Sequence, residues 1–163
     1  MEQEVYIEYI NTPIGWLELK TDEEALLSVS FAETEGPSSD NFPAILNDSA
    51  KQLIEYFEGS RKTFELKLSP SGTEFQQLVW ENVKAISFGE TATYLDIAIR
   101  TGSANNTRAV GLANGKNPIP IIIPCHRIIG SNGKLTGYAG GIDKKRWLLQ
   151  HELKHSENTN LLF

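Results

Sequence analysis

The apolar residues of this chain change period at "SPSG", residues 69–72. Upstream they mostly alternate, with one helically spaced run at 50–57, and downstream they mostly recur every three or four residues. Alternation sends successive side chains to opposite faces of a strand, whereas the longer spacing gathers them on one face of a helix. The chain must therefore build a strand-bearing part and a helical part, one on each side of this stretch. At 163 residues it has the length of one domain, or of two small ones sharing a core. The sequence divides into an N-terminal α+β domain over 1–70, a C-terminal domain over 71–153 and a tail over 154–163.

Upstream, "WLELK" (16–20) and "LSVSF" (27–31) read as strands, with "TDEEA" as the turn region between them. "NTPIG" (11–15) is a turn and "EGPSSDNFP" (35–43) a loop. Ala50, Leu53, Ile54 and Phe57 follow helical spacing, and Gly59 stands where a C-cap belongs. "TFELKL" (63–68) alternates again and predicts a further strand. Downstream, Thr73 caps "EFQQLVWENVKAI", whose Phe75, Leu78, Val79, Val83 and Ile86 share a face, with Gly89 closing the run. Thr93 and Asp96 form a capping-box pattern for "YLDIAIR", and Gly102 ends that helix. Ser103 or Asn105 then caps "TRAVGLANG" (107–115). Two short helices about a tight turn make a helix-turn-helix candidate, though many helical hairpins share the pattern. "SNGK" predicts a hairpin. "IDKKRWLLQHEL" (142–153) predicts a helix with Asp143 near its start and Leu148, Leu149 and Leu153 toward the core.

The helix 107–115 carries two nearly bare stripes, Ala109/Ala113 and Gly111/Gly115. Each glycine costs a helix about 1 kcal/mol relative to alanine, so something must approach closely. A neighbouring helix and a DNA minor groove, about 6 Å wide, both satisfy that need.

The net charge of −6 is unevenly placed. Residues 1–70 hold 14 acidic and 5 basic side chains, and residues 71–163 hold 7 and 10. A mildly basic second half is compatible with nucleic acid, as it is with an ordinary solvated surface. No apolar run is long enough to span a membrane. "MEQEVYIEYI" lacks the order of a signal peptide. The single cysteine forms no internal disulfide, and with three histidines it gives no zinc-ligand pattern. A cytoplasmic protein without metal or cofactor is expected.

That cysteine is Cys125, in "IPIIIPCHRIIG" (119–130). A thiol at its ordinary pKa is only a few per cent ionised at pH 7, so nucleophilic use requires a base. His126 is adjacent, but neighbours on an extended strand point to opposite faces, so contact needs a local turn or a bridging water. Glu152, four residues after Leu148, is positioned to hold the other imidazole nitrogen. A buried structural cysteine beside a core histidine fits the isolated pair better than a nucleophile does.

Taken together, "TRAVGLANGKNPIPIIIPCHRIIGSNGKLTGYAGG" and "KRWLLQHE" closely resemble the O6-alkylguanine-DNA alkyltransferases, also called methylated-DNA–protein-cysteine methyltransferases. "TPIGWLEL" agrees with the family's first domain. The resemblance implies an α+β fold: a small strand-rich, ribonuclease H-like domain and a helical domain with a winged helix-turn-helix. It implies a monomer that binds duplex DNA in the minor groove and flips out O6-alkylguanine. The alkyl group then moves irreversibly to the protein, which is consumed; O4-alkylthymine is a further implied substrate. By motif position Cys125 is the acceptor, His126 its base through a water, Glu152 the holder of His126 and Asn117 the hinge. Arg108 is implied as the finger that replaces the flipped base, and Tyr94 as a backbone contact that assists proton transfer. Thr107, Ala109, Gly111, Ala113, Asn114 and Gly115 complete the DNA-binding helix. Tyr138, Ala139 and Gly140 wall the guanine pocket. Three alternatives compete: a lesion-binding relative without transfer, a helix-turn-helix regulator with a structural cysteine, and a Cys-His hydrolase.

Overall fold

A computed structural model describes residues 3–156, which fall into two compact units dividing between Ser71 and Gly72. In the first, β1 (Tyr6–Thr12), β2 (Gly15–Thr21) and β3 (Leu26–Ala32) form an antiparallel sheet in the order β1-β2-β3. Thr12 pairs with Gly15 across a turn at Pro13 and Ile14. On β2, Leu17, Leu19 and Thr21 are buried while Trp16, Glu18 and Lys20 are only partly so. That alternation gives the sheet one apolar face. Helix α1 (Ala44–Glu58) covers this face with Leu46, Ala50, Leu53, Tyr56 and Phe57. Each such leucine contributes about 1.5–3 kcal/mol by leaving water. Gly59, at φ 88°, caps α1 in the left-handed conformation that glycine adopts most cheaply.

Two expectations for this unit need correction. Strand β1 was not anticipated. "TFELKL" is not a strand: it joins the sheet only at Leu68, which bridges Leu26. Leu26 N donates to Lys67 O and Ser69 N to Leu26 O, both at 2.9 Å. Alternation alone does not make a strand where the partner edge offers one residue.

The second unit begins with α2 (Glu74–Lys84), which Thr73 and Gln76 cap reciprocally. Its inward face is Val79, Trp80 and Val83; Leu78 is exposed, and the helix ends at Lys84 rather than running to Gly89. Trp80 fills the space beside Gly72, where a β-carbon would come within 2.4 Å of the indole. Next come β4 (Ala92–Thr93) and α3 (Tyr94–Arg100), with the Thr93/Asp96 capping box formed. Ser103 caps a single 3₁₀ turn, Ala104–Asn106, and α4 (Thr107–Gly115) follows from Asn106. Neither Ser103 nor Asn105 caps α4. Strand β5 (Ile128–Ile129) pairs in parallel with β4, and α5 (Ile142–His155) closes the unit. Leu148 and Leu149 are buried on α5, and Leu153 partly so. "SNGK" turns, with Gly130 N donating to Lys134 O at 2.9 Å, but no strand pairing follows, so the expected hairpin is a turn and a loop.

Candidate active site

The chain between α4 and β5 is buried without a break from Ile119 to Ile128. Ile119, Ile121 and Ile123 anchor it at essentially zero exposure. Ile121 takes a φ of 75°, which a β-branched residue adopts only under constraint. Asn117 braces the segment: its Nδ2 donates to Ile123 O at 2.8 Å, and its Oδ1 accepts from Ile119 N at 2.9 Å. Pro124, at φ −80° and ψ 64°, with Cys125 N bonded to Ile123 O, makes an inverse γ-turn. Residues Cys125–Arg127 then form a 3₁₀ turn. This is the local turn that an adjacent cysteine and histidine require. Parallel pairing of Ala92 with Ile128 and Thr93 with Ile129 fixes the far end against the start of α3.

Around this turn is a buried chain of charge-bearing groups. His126 Nε2 lies 2.6 Å from Glu152 Oε2. Arg127 grips the same carboxylate with both arms, Nε to Oε1 at 2.8 Å and Nη2 to Oε2 at 3.0 Å, and gives Nη1 to Ile86 O at 2.6 Å. Gly89 N donates to Oε1 at 3.3 Å. Burial works to raise the Glu152 pKa, but His126 and Arg127 together hold it well below the usual carboxylate range. An ionised carboxylate only accepts hydrogen bonds, so Nε2 of His126 carries the proton and Nδ1 holds the lone pair. Nδ1 is buried and has no partner among the described residues. Burial lowers the His126 pKa, against the pull of Glu152, so the ring rests neutral. Burial pushes the Cys125 thiol up to about 11, with Asn117 and Lys145 opposing. The resting site therefore pairs a neutral thiol with a neutral imidazole that has one nitrogen free to accept.

Beside this site lies an open cavity of about 470 Å³, lined by Tyr94, Thr107, Gly111, Gly115, Tyr138 and Ala139 together with Thr136 and Gly137. Tyr138 links the cavity to the charged chain, its ring edge-on to His126 at 6.5 Å between centroids. Burial, then the charges of Cys125 and Glu152, raise its phenol pKa well above the ordinary value. Tyr94 OH and Thr136 Oγ1 share a 2.7 Å hydrogen bond across the cavity wall. Gly140 is not part of the lining; it occupies a central position of the turn closed by Gly141 N and Tyr138 O.

The structure separates the two bare stripes of α4. Ala113 is buried, and its carbonyl accepts from Trp80 Nε1 at 2.9 Å. Asn114 also points inward, its Nδ2 3.4 Å from Cys125 O. Placing Ala113 and Asn114 on a DNA-facing surface is thus corrected: helix packing claims both. Thr107, Gly111 and Gly115 instead face the cavity. A β-carbon at Gly115 would meet nothing within 4 Å, and one at Gly111 only Tyr94 at 3.8 Å, an ordinary contact. The fold does not require either glycine. Arg108 and Ala109 are exposed, and so is Leu112, at 68%.

Sequence reasoning missed Arg127, Lys145 and Leu112. Lys145 is fully buried on α5, three and four residues before Leu148 and Leu149 and seven before Glu152. That spacing is the signal that places it on the inward face.

Comparison with known proteins accounts for both units. Residues 5–70 match the family model for the 6-O-methylguanine DNA methyltransferase ribonuclease-like domain. Residues 74–154 match the DNA-binding domain of the same family. The chain belongs to the 6-O-methylguanine DNA methyltransferase family. It is 48% identical over 154 residues to a methylated-DNA–protein-cysteine methyltransferase of Methanosarcina acetivorans, covering 91% of this chain and 98% of that one. The crystal structure of the Mycobacterium tuberculosis O6-methylguanine methyltransferase superposes with a TM-score of 0.84 at 42% identity, over 94% and 95% of the two chains. The same organism's OGT in complex with DNA gives 0.82 at 43% identity, over 91% and 92%. Family membership accounts for the α+β architecture. Among the described residues no helix is long and apolar enough to cross a membrane.

Proposed function

We infer that this protein is a methylated-DNA–protein-cysteine methyltransferase, a DNA repair protein that moves alkyl groups from DNA onto Cys125. The observation that carries this reading is the buried chain His126–Glu152–Arg127, whose one open nitrogen is His126 Nδ1, directly after the buried Cys125 and beside a cavity large enough for a base. The substrate is O6-alkylguanine in duplex DNA, and O4-alkylthymine is a second one. Residues 71–153 form the DNA-binding and transfer domain. The protein acts as a monomer in the cytoplasm.

In this reading α4 enters the minor groove and the damaged nucleotide leaves the stack. Flipping costs a few kcal/mol, least for a weakly paired base. Arg108 fills the vacated place. The small groups at Gly111 and Gly115 leave room for the flipped nucleotide, and Tyr138 and Ala139 flank the base. His126 Nδ1 takes the Cys125 proton through a water, and the imidazolium is held by Glu152. Sγ attacks the alkyl carbon, and an S–C bond forms as the C–O6 bond breaks. The electron pair leaves with guanine, which takes a proton from Tyr94; Tyr94 regains one from solvent, and the imidazolium returns the thiol's proton to solvent. The thioether has no leaving-group route back, so each molecule acts once.

Intact mass after incubation with duplex O6-methylguanine DNA tests this. One methyl group per protein, at Cys125, is expected, with repair stopping at stoichiometry. Tight lesion binding without a mass gain supports a non-transferring lesion binder, and multiple turnover supports a hydrolase. Cys125→Ala abolishes transfer and leaves DNA binding largely intact; loss of both supports a structural cysteine. Arg108→Ala slows repair in duplex more than reaction with the free alkylated base, and equal loss on both removes the finger role.

A further inference from the structure

Tyr94 is the first residue of α3, and its ring stands in the cavity wall beside α4. A β-carbon built on Gly111 would lie 3.8 Å from that ring. The Tyr94 hydroxyl meets Thr136 Oγ1 at 2.7 Å, and among the described residues neither hydroxyl has another hydrogen bond. Thr136 comes from the loop between β5 and α5, 42 residues along the chain. It is held from two further directions. Its carbonyl accepts from Lys145 Nζ at 3.1 Å, and the same Nζ donates to Ile128 O at 2.6 Å. Its methyl lies 3.7 Å from the place a β-carbon on Gly130 would take. A β-branched side chain fixed at its carbonyl and its methyl has little freedom at χ1. The hydroxyl is therefore aimed at Tyr94 before any substrate arrives. Burial does not compel this bond, because Tyr94 and Thr136 are both partly exposed and water would serve either group. Either oxygen can donate in the resting pair. The direction matters: a phenol that accepts from Thr136 has its own proton free to enter the cavity.

We propose that Thr136 is a positioning residue for alkyl transfer, acting through Tyr94: it donates to the Tyr94 oxygen, turns the phenol proton into the cavity and stabilises the phenolate as that proton leaves. The proposal rests on the alkyl-transfer reading, with Tyr94 as the proton donor. As the C–O6 bond breaks, its electron pair stays with guanine, and the phenol proton passes to the base. An anionic base is a stronger acceptor than a threonine hydroxyl, so the departing guanine settles the direction of the pair. The tyrosine oxygen is then an acceptor only, and the Thr136 O–H opposite it makes a charge-assisted hydrogen bond. Solvent returns the proton to Tyr94, and Thr136 ends as it began. The charge that strengthens this bond exists only while the C–O6 bond breaks. The gain therefore falls on the rate of transfer and not on the affinity for DNA.

Two variants separate the hydroxyl from the shape of the wall: Thr136→Val keeps the shape, and Thr136→Ser keeps the hydroxyl. Transfer is measured in a single turnover at saturating duplex O6-methylguanine DNA, and affinity for the same duplex in the Cys125→Ala background. Thr136→Val is expected to transfer about tenfold more slowly, the scale of one hydrogen bond to a charged group, with affinity within about twofold. Thr136→Ser transfers within about threefold of wild type. In Tyr94→Phe protein the further change Thr136→Val costs nothing, because the two side chains act as one unit. The proposal is overturned by Thr136→Val at the wild-type rate, by a loss confined to affinity, by Thr136→Ser as slow as Thr136→Val, or by an undiminished cost in the Tyr94→Phe protein. Should Thr136→Val not fold, Thr136→Ala is read in its place. A wild type that transfers nothing refutes the alkyl-transfer reading and the proposal with it, whereas a wild type that transfers while Thr136→Val keeps pace refutes the proposal alone.

Discussion

Glu152 is the residue on which the buried chain depends. It accepts from His126, Arg127 and Gly89 at once, so its removal strands an imidazole and a guanidinium inside the protein. Glu152→Ala is expected to destabilise the fold by about 3–5 kcal/mol, besides abolishing transfer; denaturant unfolding measures the first and intact mass the second. The same residues set an acid limit. His126 and Glu152 both bind protons less readily folded than unfolded. Stability therefore falls as pH drops below about 6.5, where the unfolded histidine protonates, and again below about 4.3 for the glutamate. Thermal unfolding across that range checks the sign, and Glu152→Gln flattens the lower step. Cys125, His126 and Glu152 were legible because nucleophile chemistry asks for a base and a holder, and Asn117 through the family resemblance alone. Arg127 and Lys145 were not, because charged residues are ordinarily solvated, and only the interior accounting of donors and acceptors shows why these two are inside.

Among the elements, α4 holds the sharpest conflict between stability and use. Gly111 and Gly115 weaken a nine-residue helix, and the surrounding protein has space for a β-carbon at both. Gly111→Ala or Gly115→Ala is expected to raise stability by about 0.5–1 kcal/mol while weakening duplex binding and slowing transfer. A fall in both stability and binding shows that the glycines serve the fold. Leu112, one turn after Arg108, is expected to contribute apolar contact in the groove, where such wedges are common. Leu112→Ser lowers duplex affinity and leaves stability within about 0.5 kcal/mol; titration against labelled duplex and a melting curve test the two halves. The helices were readable from capping boxes and spacing. Strand β1 and the unpaired course of "TFELKL" were not, because pairing depends on which edge is available rather than on alternation.

At the scale of the whole molecule, the two compact units divide between Ser71 and Gly72, within the "SPSG" stretch. The helical part carries an excess of only three positive charges, from 10 basic and 7 acidic side chains. If binding neutralises a few phosphates, affinity falls about 10–100-fold between roughly 50 and 200 mM salt, shallower than for a strongly basic DNA-binding protein. Fluorescence anisotropy at several salt concentrations measures the slope. Trp80 offers a way to watch the event from inside. Its indole packs against Gly72, the first residue of this part, and its N–H is tied to the carbonyl of Ala113 in the last turn of α4. A proton buried in that bond exchanges with solvent only when the contact between α2 and α4 opens. Its exchange rate is a built-in gauge of whether DNA is received by a rigid helix or by one that first lets go.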